Sequence, residues 1–323
     1  MSLNKILDSV SEDLSQVEEA ILQCVQTDIP LLTHIAEYIL AAGGKRLRPA
    51  LVLLSAKLFD YNDQKTIKAA QVVEYLHTAT LLHDDVVDKA DMRRSQKAAR
   101  SIWGNEASVL VGDYLFSMVF QMLTQLKNLE VLEVMSHTTT LMAKGELLQL
   151  TRPYTSVNEE DYIEIIISKT ACLFASALKI GAVLAQAPRS EQQQLYDYGM
   201  AIGLAFQVVD DALDYMKEES QTGKSIGIDL KERKITLPLI HLLKEASPKD
   251  KSRLDGILSE KIINNGHVQE VVQMMENYGS TKYSIQVARN YANDAQNCLL
   301  HLPTSPIRQM LTDIANFIVI RHS

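Results

Sequence analysis

Apolar residues in this chain recur every three to four positions almost from end to end, and the strict alternation of a half-buried strand is nearly absent. That period predicts helices over 3–24, 31–41, 49–59, 64–88, 106–125, 129–150, 159–186, 191–215, 235–245, 249–261, 266–276, 280–299 and 304–321. Breaks fall at Gly43-Gly44, Tyr61-Asn62-Asp63, Arg152-Pro153-Tyr154, Ala187-Pro188, Gly223 to Gly227 and Ser247-Pro248. Only 13 Gly and 8 Pro punctuate 323 residues, so the helices are expected to be long. No low-complexity linker or fixed repeat divides the chain. The expectation is one all-α domain, residues 1–323, with a bundle of long helices at its centre.

The net charge of -8 argues against nucleic-acid binding as the main business. Cys24, Cys172 and Cys298 are odd in number and lack metal-ligand spacing, so they read as reduced core thiols of a cytoplasmic protein. The N-terminus lacks the basic start and continuous apolar stretch of a signal peptide. No run is read as reaching the roughly 18 apolar residues that span a bilayer. The Leu/Ile-rich tail, 307–320, reads as an amphipathic packing helix.

Two copies of one acidic pentad stand out against this background: Asp84-Asp85-Val86-Val87-Asp88 and Asp210-Asp211-Ala212-Leu213-Asp214. Positions i and i+4 share a helix face, so Asp84 points with Asp88 and Asp210 with Asp214. A like-charged pair at that spacing costs a bare helix roughly 0.2–0.5 kcal/mol. Two such pairs in apolar settings predict a cation between them. Oxygen ligands with incomplete protein coordination favour Mg²⁺, which keeps waters and shares phosphate oxygens.

Cations gather in the same stretches. Gly43-Gly44-Lys45-Arg46-Leu47-Arg48-Pro49 packs three into a Gly-opened turn before a helix, a setting suited to an anion. His77 lies two turns before Asp84 on the same face. Arg93 and Arg94 follow the first pentad; Lys224 and Lys234 follow the second. Lys169-Thr170 sits mid-helix in an apolar run, where a cation needs a partner. Gln207 precedes Asp210 by three residues. This density of cations and carboxylates suits two diphosphates bridged by metal ions. No GxSxG, HExxH or P-loop competes.

Taken together, these segments resemble the trans-prenyl diphosphate synthases, the polyprenyl synthetase family. The resemblance is carried by GGKRLRP at 43–49, EYLHTATLLHDDVVDKADMRR at 74–94, GNEASVLVGDYLF at 104–116, GELLQL at 145–150, KTA at 169–171, GLAFQVVDDALDY at 203–215 and the stretch from Lys224 to Ile240. It implies an all-α, isoprenoid-synthase-type helical bundle around a deep central cavity, in a homodimer. It implies that the six aspartates hold Mg²⁺ on an allylic diphosphate, with Asp84, Asp88 and Asp210 as direct ligands of three ions and Mn²⁺ able to substitute. Arg93, Lys169, Thr170, Gln207, Lys224 and Lys234 would contact that diphosphate. Lys45, Arg48, His77 and Arg94 would bind isopentenyl diphosphate. Departures are Ser95 and Arg233, where the family commonly has Gly, and Lys144, where it often has an acid.

The resemblance further implies a 1'-4 condensation driven by metal and electrostatics, with Lys169 and Lys224 beside the leaving group. Ala79 and Thr80, one turn before Asp84, are small where short-chain members often place aromatics. An open tunnel, with Leu123, Met135, Met118 and Met142 towards its far end, predicts an octaprenyl product of roughly forty carbons, within thirty to fifty. Such a product serves quinone side chains, and its release would involve at most transient membrane contact. The rival readings are a shorter-chain synthase, a terpene cyclase and a non-catalytic subunit; the second DDxxD and the basic turn weigh against the last two.

Overall fold

The computed structural model describes residues 3–41, 44, 46–93, 96–151, 157–216 and 226–320. Lys45, Arg94 and Lys224 lie outside the described residues, as do Ser95 and the Arg152-Pro153-Tyr154 break. Helices dominate: α1 (Leu3–Asp8), α2 (Ser11–Cys24), α3 (Pro30–Ala41), α4 (Leu47–Lys57), α5 (Gln64–Val87), α6 (Ala99–Trp103), α7 (Asn105–Leu126), α8 (Leu129–Thr151), α9 (Glu159–Ile166), α10 (Cys172–Leu184), α11 (Arg189–Leu213), α12 (Ile228–Lys231), α13 (Leu237–Glu245), α14 (Pro248–Ser259), α15 (Asn265–Tyr278), α16 (Ser280–Cys298) and α17 (Pro306–Ile320). Among the described residues the only strands are β1 (Met92–Arg93) and β2 (Gln96–Lys97), an antiparallel pair.

The all-α expectation holds, and most boundaries fall within two or three residues of the periodic pattern. Four features differ. The first expected helix breaks at Ser9-Val10. The short helices α6 and α12 and the β1–β2 hairpin are too brief for a period to register. The 159–186 helix is interrupted by a π-helical turn at Ile167–Ala171. Two helical segments, Asn105–Leu126 and Glu159–Leu184, are also long and apolar enough, by length and composition alone, to cross a membrane, contrary to the sequence reading. The second is buried over 78% of its apolar window, as a core helix would be.

Contacts group the chain into two compact units. The first comprises 1–139, 173–199 and 298–314. Its axis is α5, which is buried on nearly every side, polar Gln71, Glu74 and Thr78 included, against α2, α4 and α7. Asp63 starts α5 by accepting from Lys65 N–H at 2.7 Å. Helix α10 approaches α4 so closely that a Cβ on Gly181 would collide with the Val52 carbonyl. Ser55 Oγ donates to the Leu178 carbonyl across the same approach, at 2.5 Å. Tyr75 and Tyr198 are wholly buried, and their hydroxyls donate to the Ile21 and Leu311 carbonyls, so neither leaves a polar atom unpaired.

The second unit comprises 140–172, 200–297 and 315–323. One apolar cluster joins Tyr215, Leu239, Leu254, Ile257, Val271 and Met275. Another joins Tyr162, Ile166, Ala171, Leu204, Val208 and Leu237. A reciprocal capping box, Asn158 with Asp161, starts α9. Gly203 lets α11 press onto the π turn, where a Cβ would meet Ala171 Cα at 2.5 Å. That contact fixes the turn carrying Lys169 and Thr170 against the helix carrying the second pentad.

Candidate active site

In the first unit, the pentad ends α5. Asp88 is its C-cap, and Asp88 N–H donates to the Asp84 carbonyl at 2.8 Å, so the two lie one turn apart. Both are half-buried. Asp85 is turned the other way and is wholly buried. Its Oδ1 accepts from Arg93 Nε at 2.5 Å. Burial pushes the Asp85 carboxyl above its usual range, against the pull of the Arg93 charge and hydrogen bond.

The hairpin that delivers Arg93 is tied at several points. Ala98 N–H donates to the Asp91 carbonyl at 2.9 Å, Tyr38 hydroxyl to the Lys97 carbonyl at 2.8 Å, and Arg100 to Asp91 Oδ1 at 3.0 Å.

The basic turn divides its labour. Arg46 has a left-handed backbone, φ 45°, and its guanidinium is committed to Glu74 (2.5 Å), Glu18 (3.0 Å) and the Leu40 carbonyl (2.7 Å). It holds the turn in place. Arg48 Nη1 instead stands 3.2 Å from His77 Nε2, bringing two of the expected isopentenyl diphosphate ligands together. The Arg48 guanidinium also lies over the Phe174 ring, 4.5 Å from its centroid.

Ala79 is wholly buried; Thr80 is half-buried and donates to the His77 carbonyl at 2.8 Å. Leu123, Met135 and Met142 are buried and Met118 half-buried.

In the second unit, α11 carries the other pentad. Asp210 is exposed, Asp211 is buried, and Asp214 follows the helix end, half-buried. Tyr162 hydroxyl donates to Asp211 Oδ2 at 2.7 Å, and Gln207 Nε2 donates to Asp211 Oδ1 at 2.7 Å. Thr170 Oγ1 donates to Gln207 Oε1 at 2.8 Å. Burial pushes the Asp211 carboxyl up; its two donors pull it back, and the charges of Asp210 and Asp214 push further. Burial, then the Asp211 charge, push the Tyr162 hydroxyl well above its usual value, so it stays protonated.

Lys169 is half-buried, and its ammonium sits 2.7 Å from Glu146 Oε1, the partner its apolar surroundings demand. Lys234 pairs with Glu232 at 2.9 Å. Asp214 Oδ2 accepts from Asp229 N–H at 2.8 Å. The Asp229 carboxyl is pushed up by burial and by the charges of Asp211 and Asp214.

Sequence reasoning did not single out Tyr162, Glu146 or Asp229. The signal for Glu146 was the cation Lys169 in an apolar run, which calls for an acid nearby; Tyr162 stands 49 positions from Asp211, beyond any local pattern. The departures also find places. Lys144 pairs with Glu164 at 3.2 Å, and Arg233 occupies φ 61°, the region a Gly adopts freely.

Both pentads thus turn the middle acid inward and leave the outer acids towards the surface of their helix. Among the described residues, no group of three or more His, Cys, Asp or Glu side chains converges to hold a metal ion. Carboxylates in pairs fit Mg²⁺, which is bound through one or two carboxylates plus waters and phosphate oxygens, and do not make a closed structural cage.

The structure is similar to known ones along its whole length. It matches a decaprenyl diphosphate synthase from Rhodobacter capsulatus with a TM-score of 0.93 and 36% identity, over 100% of both chains. It matches a Caulobacter crescentus polyprenyl synthase, solved with calcium and isoprenyl diphosphate, with the same score and identity, over 100% of this chain and 98% of that one. These likenesses define an all-α isoprenyl diphosphate synthase fold. The polyprenyl synthetase family model matches residues 29–275, and the chain belongs to that family. It is also 40% identical to the octaprenyl diphosphate synthase of Escherichia coli, over 99% of each chain. The activity that follows is chain-elongating trans-prenyl transfer of the long-chain kind. Synthases of this family use isoprenoid diphosphates and are generally metal-dependent.

Proposed function

We propose that this chain condenses isopentenyl diphosphate with an allylic diphosphate such as farnesyl diphosphate, repeatedly, to an all-trans polyprenyl diphosphate of about forty carbons. The octaprenyl product would supply quinone side chains. The observation that carries the reading is the shared arrangement of the pentads, with Asp84, Asp88 and Asp210 less buried than the middle acids Asp85 and Asp211.

Asp84, Asp88 and Asp210 would be the direct Mg²⁺ ligands, with Asp85, Asp211 and Asp214 supporting them. Bound Mg²⁺, taken as three ions with Mn²⁺ as substitute, would supply the positive charge that neutralises the allylic diphosphate as a leaving group. Arg93, Lys169, Thr170, Gln207, Lys224 and Lys234 contact the same group, with Lys169 and Lys224 in catalytic roles. Lys45, Arg48, His77 and Arg94 hold isopentenyl diphosphate so that its double bond attacks the allylic cation. The proton then leaves with the departing diphosphate, which is consistent with the lack of an evident side-chain base.

Ala79 and Thr80 are small enough to admit the growing chain, with Leu123 and Met135 further along its path into a central cavity. The protein acts as a single-domain, cytoplasmic homodimer that meets a membrane only to release product. Incubating the purified protein alone with farnesyl and isopentenyl diphosphates and Mg²⁺ tests the reading. A ladder of polyprenyl products by mass spectrometry supports it. A cyclised hydrocarbon, or no turnover, overturns it.

A further inference from the structure

Three hydrogen bonds surround the second pentad, one from Tyr162 on α9, one from Gln207 within α11 and one from Thr170 on the π turn to Gln207, and with Asp211 ionised their directions are set. Tyr162 donates to one oxygen of Asp211 and Gln207 to the other, so the carboxylate is held at both ends. The Thr170 hydroxyl has a single proton and gives it to Gln207 Oε1. The Gln207 amide is thereby oriented, with one N–H spent on Asp211 and one left over. Thr170, its proton committed, offers an anion only lone pairs.

We propose that Tyr162 is a positioning residue: it locks Asp211 and, through Asp211, aims the second Gln207 N–H as the amide donor for the allylic diphosphate. This rests on the proposed function and assigns Thr170 a different part from the one expected of it, holding Gln207 rather than donating to substrate. The Tyr162 ring is anchored in the apolar cluster with Ile166, Ala171, Leu204 and Val208. The hydroxyl is therefore a fixed post and not a mobile group. Without it, one Asp211 oxygen loses its donor, the carboxylate can rotate, and Gln207 loses its fixed aim.

The test is Tyr162→Phe, which keeps the ring and removes one oxygen. The KM for farnesyl diphosphate should rise about five- to tenfold, the loss of one well-aimed hydrogen bond, while the KM for isopentenyl diphosphate stays close to wild type and Tm falls by only a few degrees, the cost of a donor lost at buried Asp211. Calorimetric titration with inorganic pyrophosphate in the presence of Mn²⁺ should weaken by the same factor. Combining Tyr162→Phe with Gln207→Leu should be little worse than Gln207→Leu alone, because both act through one donor. Unchanged pyrophosphate affinity, equal changes in both KM values, or multiplicative effects in the double variant would overturn the relay. A wild-type protein inactive on both diphosphates would sink the parent reading instead, and pyrophosphate titration would still report on the relay.

Discussion

Arg93 Nε donates to Asp85 Oδ1 at 2.5 Å, and the accepting carboxylate is wholly buried while the guanidinium stays partly exposed. The pair ties the hairpin after α5 to the inward side of the pentad. Asp84 and Asp88 are left on another side of the helix. Removing Arg93 strands a buried charge, so Arg93→Ala should lower stability by about 2–3 kcal/mol. A shift in the urea midpoint measures it, and adding Asp85→Asn should recover most of the loss. A double variant as unstable as the single would show that the ion pair is not the cause.

Arg233 is another structural arginine. It occupies φ 61° and donates to the carbonyls of Leu258 (2.8 Å), in the last turn of α14, and of Glu260, its C-cap. Arg233→Ala loses those bonds and keeps the left-handed strain, and should cost about 1–2 kcal/mol. Arg233→Gly relieves the strain and should be less harmful by about 1 kcal/mol. Thermal unfolding of the two variants checks the order.

Asp250 accepts from Tyr278 hydroxyl at 2.6 Å and from Ser247 Oγ at 2.9 Å, and these bonds hold its carboxyl below the usual range. A carboxyl lowered by folding stabilises the native state above its unfolded pKa. That gain is lost as pH falls through the folded value. Tyr278→Phe should therefore be less stable than wild type at neutral pH, and the gap should narrow below about pH 4. Chemical denaturation at pH 7 and pH 3 compares the two; a gap that is the same at both would rule out the linkage.

Ala79 is wholly buried, one helical turn before Asp84. Ala79→Tyr should shorten the product distribution seen by mass spectrometry, at an overpacking cost of about 1–3 kcal/mol. An unaltered ladder in a folded variant would remove Ala79 from the path of the growing chain.

The helices were legible because their periodicity and their Gly, Pro, Asn and Ser boundaries agree. Asp63, Asn158, Ser247 and Asn264 all cap as their residue types suggest. The pentads announced which acids share a face, yet not that Asp85 and Asp211 turn inward. That orientation depends on Arg93 and Tyr162, partners supplied by other segments. The π turn was hidden because its extra residue is accommodated by contacts with Gly145 and Gly203, which lie far from it in sequence. Among the turn cations, Arg46 looked equivalent to its neighbours; only Glu74, buried on α5, shows it to be a brace.

The most direct measurement is radio-thin-layer analysis of condensation by wild type, Asp84→Ala and Asp210→Ala, each with Mg²⁺ and with EDTA. Wild type should make long polyprenyl diphosphates only with the metal, and each variant should lose roughly a hundredfold or more of that rate. Full activity in either variant, or in wild type with EDTA, would contradict the account.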